Sequence, residues 1–184
     1  DIELIISDNN STDSTDLMLK DFSELERSYK FTYHRNIKNL GCDENFGIVI
    51  EKSSGKFAWL LGDDDQIEPH SIDFLHNTLS NNQEIGFCFL NYYERFAKDP
   101  QESNTSFIAQ SDEYIKVSNF ENFHNQAMFG YSMISSCVYK KSLFSKILPK
   151  HSGAPNPYMY WAGDILKDYE SIIIKKPLFT FIHP

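Results

Sequence analysis

The chain has 184 residues and a mass of 21.4 kDa, with 41% hydrophobic and 15% aromatic residues. This composition excludes an intrinsically disordered chain, and the length fits a single domain, residues 1–184. No apolar stretch reaches the ~18 residues that a membrane span needs. The net charge of −9 argues against non-specific nucleic-acid binding, so no nucleic-acid partner is expected.

The first 80 residues alternate between strand and helix patterns. Residues 2–6 and residues 30–35 predict two strands, and the helical spacing of apolar residues between them completes a βαβ unit with parallel strands. A helix that ends at residues 53–55 leads into the apolar run 57–61, which is typical of a strand buried on both faces. Pro69 then opens another helix.

The second half of the chain is less regular. Strands are predicted at 85–93, 132–139 and 171–182, with a bend or sheet edge at Pro177. A loop is predicted at 97–111, and short helices are predicted within 113–127, at 141–148 and at 158–167. The expected fold class is α/β, with a mostly parallel sheet flanked by helices and the second half covering one end of it.

Two predicted strands end in acidic or amide residues. Asp8 and Asn9 follow the first strand, and Asp63, Asp64 and Asp65 follow the third. If these strands are parallel, both clusters lie at the edge where open sheets bind ligands. Three adjacent carboxylates repel one another, and Mg²⁺ or Mn²⁺ would offset that repulsion and hold a diphosphate leaving group. The alternative is a solvated turn that caps the next helix.

Other ligand-binding motifs fit poorly. A calcium loop starting at Asp8 would need glycine at Asp13 and a bidentate glutamate at Leu19. The glycine-rich phosphate loops GxxxxGK[ST] and GxGxxG are absent from the sequence. The aromatic side chain of Trp161 is predicted either to stack on a sugar ring, together with Tyr158 and Tyr160, or to pack a late helix onto the sheet.

The three cysteines, Cys42, Cys88 and Cys137, are widely spaced and form no CxxC pair or His/Cys cluster. This pattern gives no support for zinc and favours reduced thiols in a cytoplasmic protein. The chain opens at Asp1 and enters an apolar run at once, which predicts a fragment of a longer protein.

Three segments resemble family 2 glycosyltransferases, and in particular their bacterial abequosyltransferase-like branch. Residues 1–13 are similar to the second strand of that family and its following turn. Residues 36–46 and residues 55–65, which end in Gly-Asp-Asp-Asp, resemble the segment that leads into its DXD-type motif. The similarity covers residues 1–80 well and is carried by the order and spacing of these motifs. The first strand of the family, which packs on the base and ribose, has no counterpart, so the fold is expected to be N-terminally truncated.

The resemblance implies a GT-A fold and an inverting, metal-dependent transfer of a sugar from a nucleotide-diphosphate sugar to a hydroxyl acceptor. Asp8 and Asn9 hold the place that contacts the base, and Asn45 matches a position that helps hold the nucleotide. The cofactor implied is Mn²⁺ or Mg²⁺. Residues 1–80 would form the nucleotide-sugar-binding half, and residues 81–184 the acceptor-side half.

In the metal site that the resemblance implies, Asp64 is the direct ligand of the cation. Asp63 and Asp65 would contact its waters or the donor sugar.

Inversion also needs a general base that takes the proton of the acceptor hydroxyl, usually a carboxylate. Relatives carry it in an acidic pair at the start of a late helix, and this sequence has no such pair there. Asp164 is the first candidate for the base, Glu94 is the second, and Asp168 is a weaker third.

The expected setting is the synthesis of a bacterial surface polysaccharide, with a glycan or lipid-linked acceptor. Peripheral membrane association, for which Lys140-Lys141 and Lys175-Lys176 offer short basic pairs, and a homodimer stay open. Two alternatives also stay open: a nucleotidyltransferase that makes a nucleotide sugar, and a non-catalytic carbohydrate-binding domain of the same fold.

Overall fold

A computed structural model of the protein describes residues 2–96, 105–111, 113–151 and 153–183. Part of the loop predicted at 97–111 lies outside these residues. The strands are β1 (Glu3–Asp8), β2 (Lys30–Arg35), β3 (Phe57–Trp59), β4 (Gln66–Ile67), β5 (Phe87–Phe96), β6 (Thr105–Ser106), β7 (Tyr114–Val117), β8 (Cys137–Lys140) and β9 (Ser171–His183). The helices are α1 (Thr15–Ser23), α2 (Cys42–Lys52), α3 (Ser71–Ser80), α4 (Phe120–Ala127), α5 (Lys141–Ile147) and α6 (Pro157–Ile165).

The predicted βαβ unit is present. β1 and β2 pair in parallel, from Glu3 opposite Lys30 to Asp8 opposite Arg35, and α1 connects them. Within the described residues these two strands form a sheet of their own, hydrogen-bonded separately from the other strands. The small sheet therefore carries the first of the two polar clusters that the sequence places at strand ends.

The larger sheet has the strand order β3-β8-β5-β9-β4, with β6 beside β5 and β7 beside β9. The α/β fold with helices flanking the sheet is confirmed, but the pairing is mixed rather than mostly parallel. β5 and β9 run parallel, whereas β3, β4, β6, β7 and β8 join their neighbours antiparallel. β8 begins at Cys137, opposite Phe89, and runs back toward the start of β5, so the two strands are antiparallel.

The segment before β8 also differs from the predicted strand at 132–139. Gly130–Ser132 and Ile134–Ser136 form two short 3₁₀ turns, and the strand begins at Cys137. The side chains of β3 are half-buried rather than buried on both faces, because β3 is the last strand of its sheet and pairs with β8 on one side.

A bulge in the long strand β9 accounts for Pro177. The register between β5 and β9 shifts after Leu90, which pairs with Ile174, and resumes where Tyr92 pairs with Phe179. Asn91 is fully buried at this bulge and donates hydrogen bonds to the backbone oxygen of Lys175 at 2.7 Å and of Ile108 at 3.1 Å. The predicted bend at Pro177 is thus confirmed. At the bulge, the backbone oxygen of Lys175 accepts its hydrogen bond from the buried side-chain amide of Asn91.

A carboxylate ties the small sheet to the larger one. Glu3 on β1 accepts hydrogen bonds from the Gly55 backbone at 2.8 Å, from the Ser54 hydroxyl at 2.9 Å and from the Ser54 backbone, just before β3 begins. Burial opposes ionisation of Glu3, but these bonds and Lys30 outweigh it and lower its pKa to about 2. Helix α2 adds a second link, since it contacts β1 and places Ile50 in the main core.

Candidate functional site

A network of asparagine side chains fills the space where β1 and β2 end. Asn36 is buried and donates from one amide nitrogen to the side-chain oxygens of Asn9 and Asn45, each at 3.0 Å. Asn45 also accepts from the Ser7 hydroxyl at 2.7 Å, and Asn9 accepts from the Leu40 backbone at 2.9 Å. This amide network (Asn9, Asn36 and Asn45) fixes the loop before α2 against the end of β1.

Asp8 is held just as firmly. Its side chain accepts from the Ser11 backbone at 2.7 Å and from the Tyr33 hydroxyl at 3.2 Å, with Arg35 at 3.5 Å. Burial opposes its ionisation, but these hydrogen bonds and the arginine charge lower its pKa overall. Asp8 and Asn9, the residues predicted to contact the nucleotide base, therefore lie side by side, and their side chains are hydrogen-bonded to other protein groups that shape this part of the structure.

The acidic turn (Asp63, Asp64 and Asp65) lies between β3 and β4. Asp63 and Asp64 are exposed, whereas Asp65 is half-buried and receives hydrogen bonds from the Ser135 hydroxyl and the Ile182 backbone. The same Ser135 oxygen accepts from the Gly62 backbone at 2.8 Å, which fixes the start of the turn. Burial, followed by the charges of Asp64 and Asp63, raises the pKa of Asp65 despite those bonds.

One atom of this turn points to a missing positive partner. Oδ1 of Asp65 is buried and, within the described residues, has no hydrogen-bond partner. A buried carboxylate oxygen without a partner is costly unless a ligand satisfies it. The described residues contain no cluster of three or more His, Cys, Asp or Glu side chains placed around one point. The acidic turn itself offers two exposed carboxylates, Asp63 and Asp64, and the half-buried Asp65.

Glu94 lies at the same edge of the sheet as the acidic turn. It is near the end of β5, and its carboxylate approaches Nε2 of His183 at 3.3 Å. His183 is stacked on Phe96 with ring centroids 4.3 Å apart, so the imidazole is fixed in place. Burial raises the pKa of the Tyr92 hydroxyl, and the charges of Glu94 and Asp65 raise it further, so this phenol lies within electrostatic reach of both carboxylates.

Asp164 has a different environment. Its carboxylate bonds to Lys167 at 2.6 Å and to His151 at 2.9 Å, with Lys150 at 3.7 Å. The hydrogen bonds from Lys167 and His151 lower its pKa to about 2. A carboxylate with so low a pKa is a weak proton acceptor at neutral pH.

The position of Asp164 also separates it from the acidic turn. A Cβ at Gly86 would overlap the side chain of Ile165, so the end of α6 packs where β5 begins. Glu94 is eight residues further along the chain from Gly86, which is about 25 Å at the rise of a strand. Asp164 and Glu94 thus lie at opposite ends of β5. Asp168, just after α6, lies with Asp164.

Some residues of this site carried no assigned role in the sequence. Asn36 belongs to the segment that resembles the family, and its burial and its bonds to both neighbouring amides identify it as the centre of the network. Ser135 lies in an apolar stretch without a motif, and His183 lies far from the acidic turn in sequence. Trp161 is 1% exposed and packs edge-on against Phe144 at 5.0 Å, so it belongs to the core rather than to a sugar site.

The cysteines and helices add two general findings. Cys42, Cys88 and Cys137 are free thiols, and Cys88 and Cys137 are buried. Among the helices that the structure describes, none combines the length and apolar character that crossing a membrane requires.

Two curated glycosyltransferases are similar to parts of this chain. The abequosyltransferase RfbV of Salmonella typhimurium is 36% identical over 88 residues, which are 48% of this chain and 26% of RfbV. The glycosyltransferase GlyA of Streptococcus pneumoniae is 27% identical over 154 residues, 79% of this chain and 21% of GlyA. The aligned segments thus span about a quarter or less of these relatives.

Solved structures support the fold. The S. aureus TarS fragment 1–349 in complex with UDP superimposes with a TM-score of 0.71 at 12% identity, over 98% of this chain and 51% of that one. A second S. aureus TarS structure superimposes on this chain with a TM-score of 0.70, and the aligned region covers 31% of that TarS chain. The sequence profile of glycosyl transferase family 2 matches residues 1–148. The resemblance inferred from the three sequence segments is therefore confirmed, and the chain belongs to glycosyl transferase family 2.

Proposed function

We propose that this protein transfers a sugar from a nucleotide-diphosphate sugar to a hydroxyl group of a glycan or lipid-linked acceptor, with inversion at the anomeric carbon. The observation that carries the proposal is the acidic turn, in which a buried oxygen of Asp65 has no hydrogen-bond partner among the described residues and the two preceding carboxylates, Asp63 and Asp64, are exposed. Family membership supports the same chemistry. The acceptor and the setting in polysaccharide synthesis rest on the curated relatives.

The acidic turn is the proposed DXD-type motif. Family 2 enzymes generally use a divalent metal, and Asp64, which is exposed, is the proposed direct ligand of Mn²⁺ or Mg²⁺. Asp63 would contact metal-bound water or the donor sugar, and Asp65 would do so through its free oxygen. When bound, such an ion neutralises charge that develops on the leaving diphosphate. Ser135 holds Asp65 and Gly62 at fixed positions, so the carboxylates are arranged before the ligand arrives.

The proposed nucleotide site is formed by residues 1–80. Asp8, Asn9 and Asn45 would act mainly by shaping the loop before α2, because their side chains are engaged in protein hydrogen bonds. Backbone groups of this loop and the remaining capacity of the amides would then face the base. Residues 81–184 would supply the acceptor side.

Glu94 is the general base that the geometry favours. In the proposed step its carboxylate takes the proton of the acceptor hydroxyl as that oxygen bonds to the anomeric carbon, and the bond from this carbon to the diphosphate oxygen breaks. Glu94 lies near Asp65, whereas Asp164 lies at the other end of β5 among cationic side chains. Asp164 and Asp168 are therefore assigned lower priority as bases.

The proposed location is the cytoplasm, at the inner face of the membrane if the acceptor is lipid-linked. Three free thiols fit a reducing compartment. Lys140 and Lys141 bind backbone oxygens at the ends of neighbouring segments, so they give little support to a membrane contact through this pair. A homodimer stays a prediction.

The first experiment is a thermal-shift panel of UDP, CDP, GDP and dTDP, each with and without Mn²⁺. A nucleotide at about 100 times its dissociation constant adds roughly 2.7 kcal/mol, or about 5–10 °C at this chain length. We expect a Mn²⁺-dependent rise with one nucleotide, lost in Asp64→Asn and retained in the matched surface variant Asp73→Asn. No rise with any diphosphate would overturn the proposal.

The two alternatives predict other outcomes. A nucleotidyltransferase would be stabilised by a nucleoside triphosphate in preference to the diphosphate, and a non-catalytic domain by neither. For the base, Glu94→Gln should keep the nucleotide-induced shift and lose sugar transfer by a factor of about 10² or more. Asp164→Asn should keep both, and the reverse pattern would assign the base to Asp164.

A further inference from the structure

An exposed group of apolar side chains follows the helix α4 in the second half of the chain. Phe120, Met128 and Phe129 are 43%, 55% and 64% exposed. His124 stands at their centre, stacked on Phe120 with centroids 5.9 Å apart and edge-on to Phe129 at 4.8 Å. These four residues are called the aromatic patch. Contiguous apolar surface of this kind usually marks a binding site.

The patch is held in a fixed shape. The His124 ring bonds to the Tyr131 hydroxyl at 3.2 Å. Gly130 follows directly, and a Cβ there would lie 2.7 Å from both Phe107 and Phe89, so the backbone sits tightly against the core. Met128 has φ of 51° and ψ of −132°, a conformation that non-glycine residues rarely adopt. Met128 is 55% exposed, so core packing of its side chain does not account for this backbone conformation.

A chain of aromatic contacts leads from the aromatic patch toward the proposed base. Gly130 directly follows Phe129, and a Cβ there would lie 2.7 Å from Phe107. Phe107 stacks on Tyr92 with ring centroids 4.9 Å apart. Tyr92 precedes Glu94 by two residues on β5, so the two side chains lie on the same face of that strand.

The charge pattern around the patch indicates the kind of ligand. Between Lys116 and Lys140 the sequence contains no Lys or Arg, and Glu121 is its one acidic residue. Apart from Glu121, the exposed polar residues of α4 are the amides Asn122, Asn125 and Gln126. Phosphates and anionic lipid surfaces are bound through Lys and Arg. An uncharged ligand with both an apolar face and hydroxyl groups fits this surface, and a neutral sugar ring has both.

We propose that the aromatic patch is a subsite for a neutral sugar ring of the acceptor glycan, with the ring face on Phe129 and Met128 and hydroxyl groups toward the amides of α4. The assignment of this sugar to the acceptor rests on the proposed function. The presence of a sugar site can be tested without it.

The test uses the protein labelled with ¹³C at the methionine methyl groups. Met128 reports on the patch, and Met18, which is 60% exposed on α1, serves as an internal control. The protein is titrated with neutral gluco-, galacto-, manno- and rhamno-oligosaccharides and, separately, with phosphatidylcholine vesicles. We expect a saturable shift of the Met128 methyl signal with at least one oligosaccharide and an unchanged Met18 signal.

Two variants sharpen the result. Phe129→Ser should weaken oligosaccharide binding about three- to tenfold, the loss expected for one aromatic contact. Leu17→Ser removes an equally exposed apolar side chain, 67% exposed on α1, and should leave binding unchanged. A Met128 signal that responds to no oligosaccharide would overturn the proposal, and so would a response to vesicles alone. Sugar binding without any nucleotide-induced stabilisation would instead contradict the transferase function and leave the sugar site standing.

Discussion

Replacing Glu3 by glutamine tests how the two sheets are joined. The Glu3 side chain is 14% exposed and binds the Ser54-Gly55 turn that precedes β3. Its pKa falls from 4.5 to about 2 in the folded protein. At 1.36 kcal/mol per pKa unit, the ionised carboxylate is favoured by at most about 3 kcal/mol. Glutamine keeps one acceptor oxygen, so we expect Glu3→Gln to lose about 1–2 kcal/mol of unfolding free energy at neutral pH, or roughly 2–8 °C.

The pH dependence of this loss follows from the sign of the shift. The pKa of Glu3 is lower in the folded state, so its stabilisation is fully present above the unfolded value of 4.5 and is lost as the pH falls toward about 2. The difference between wild type and Glu3→Gln should therefore be constant around neutral pH and shrink in acid.

Urea unfolding followed by tryptophan fluorescence measures this difference, and Trp59 on β3 reports directly on the neighbouring turn. Glu26→Gln, at an exposed position, is the matched control and should behave as wild type. Equal stability of wild type and Glu3→Gln at neutral pH would show that this carboxylate does not hold the two sheets together. If the difference in unfolding free energy stayed the same in acid, the stabilisation by Glu3 would come from the shape and hydrogen bonds of its side chain and not from its charge.

Three further outcomes are expected. Gly130→Ala should cost about 1–3 kcal/mol in urea unfolding, because its Cβ would press on Phe89 and Phe107; unchanged stability would contradict the tight packing. Asn36→Ala should lower the melting temperature by removing about 1–3 kcal/mol of stability, since the partly buried side-chain oxygens of Asn9 and Asn45 each lose one hydrogen-bond donor; a neutral effect would show that water replaces that donor. Asp164→Asn should destabilise by about 1–2 kcal/mol at neutral pH, and the loss should fade as the pH falls toward its pKa of about 2; a loss that persists in acid would contradict the ionic account.

Local pattern predicted most elements of the fold. The strand at residues 30–35 has the predicted bounds, and α6 begins at Pro157, one residue before its predicted start. The direction of each strand could not be predicted in the same way. It depends on whether the segment that joins two strands brings the chain back to the same end of the sheet or carries it to the other end. The two turns before Cys137 have the apolar composition of a strand. One contact that fixes them is distant in sequence, the hydrogen bond from the Gly62 backbone to the Ser135 hydroxyl, and another is local, from the Ser136 hydroxyl to the backbone oxygen of Gly130.

The acidic turn and Asn9 were predictable because each follows a strand directly. The positions of Asp164 and Glu94 at opposite ends of β5 were not, since they depend on how the chain folds over long distances. His183 is even less accessible to sequence analysis, as 89 residues separate it from its partner Glu94. Long-range partners of this kind leave no local spacing to detect.

The division into two separately hydrogen-bonded sheets has a consequence for the energetics of donor binding. The amide network sits on the small sheet and the acidic turn on the larger one, and Glu3 and α2 link them. Under the proposed function, one donor molecule would hold its base at the first sheet and its diphosphate at the second. Donor binding would then connect the two sheets. The β1–β2 unit, which would open separately without donor, would unfold only together with the rest of the protein. Amide hydrogens of β1 and β2 should accordingly exchange more slowly with nucleotide present, while those of β5 and β9 change little.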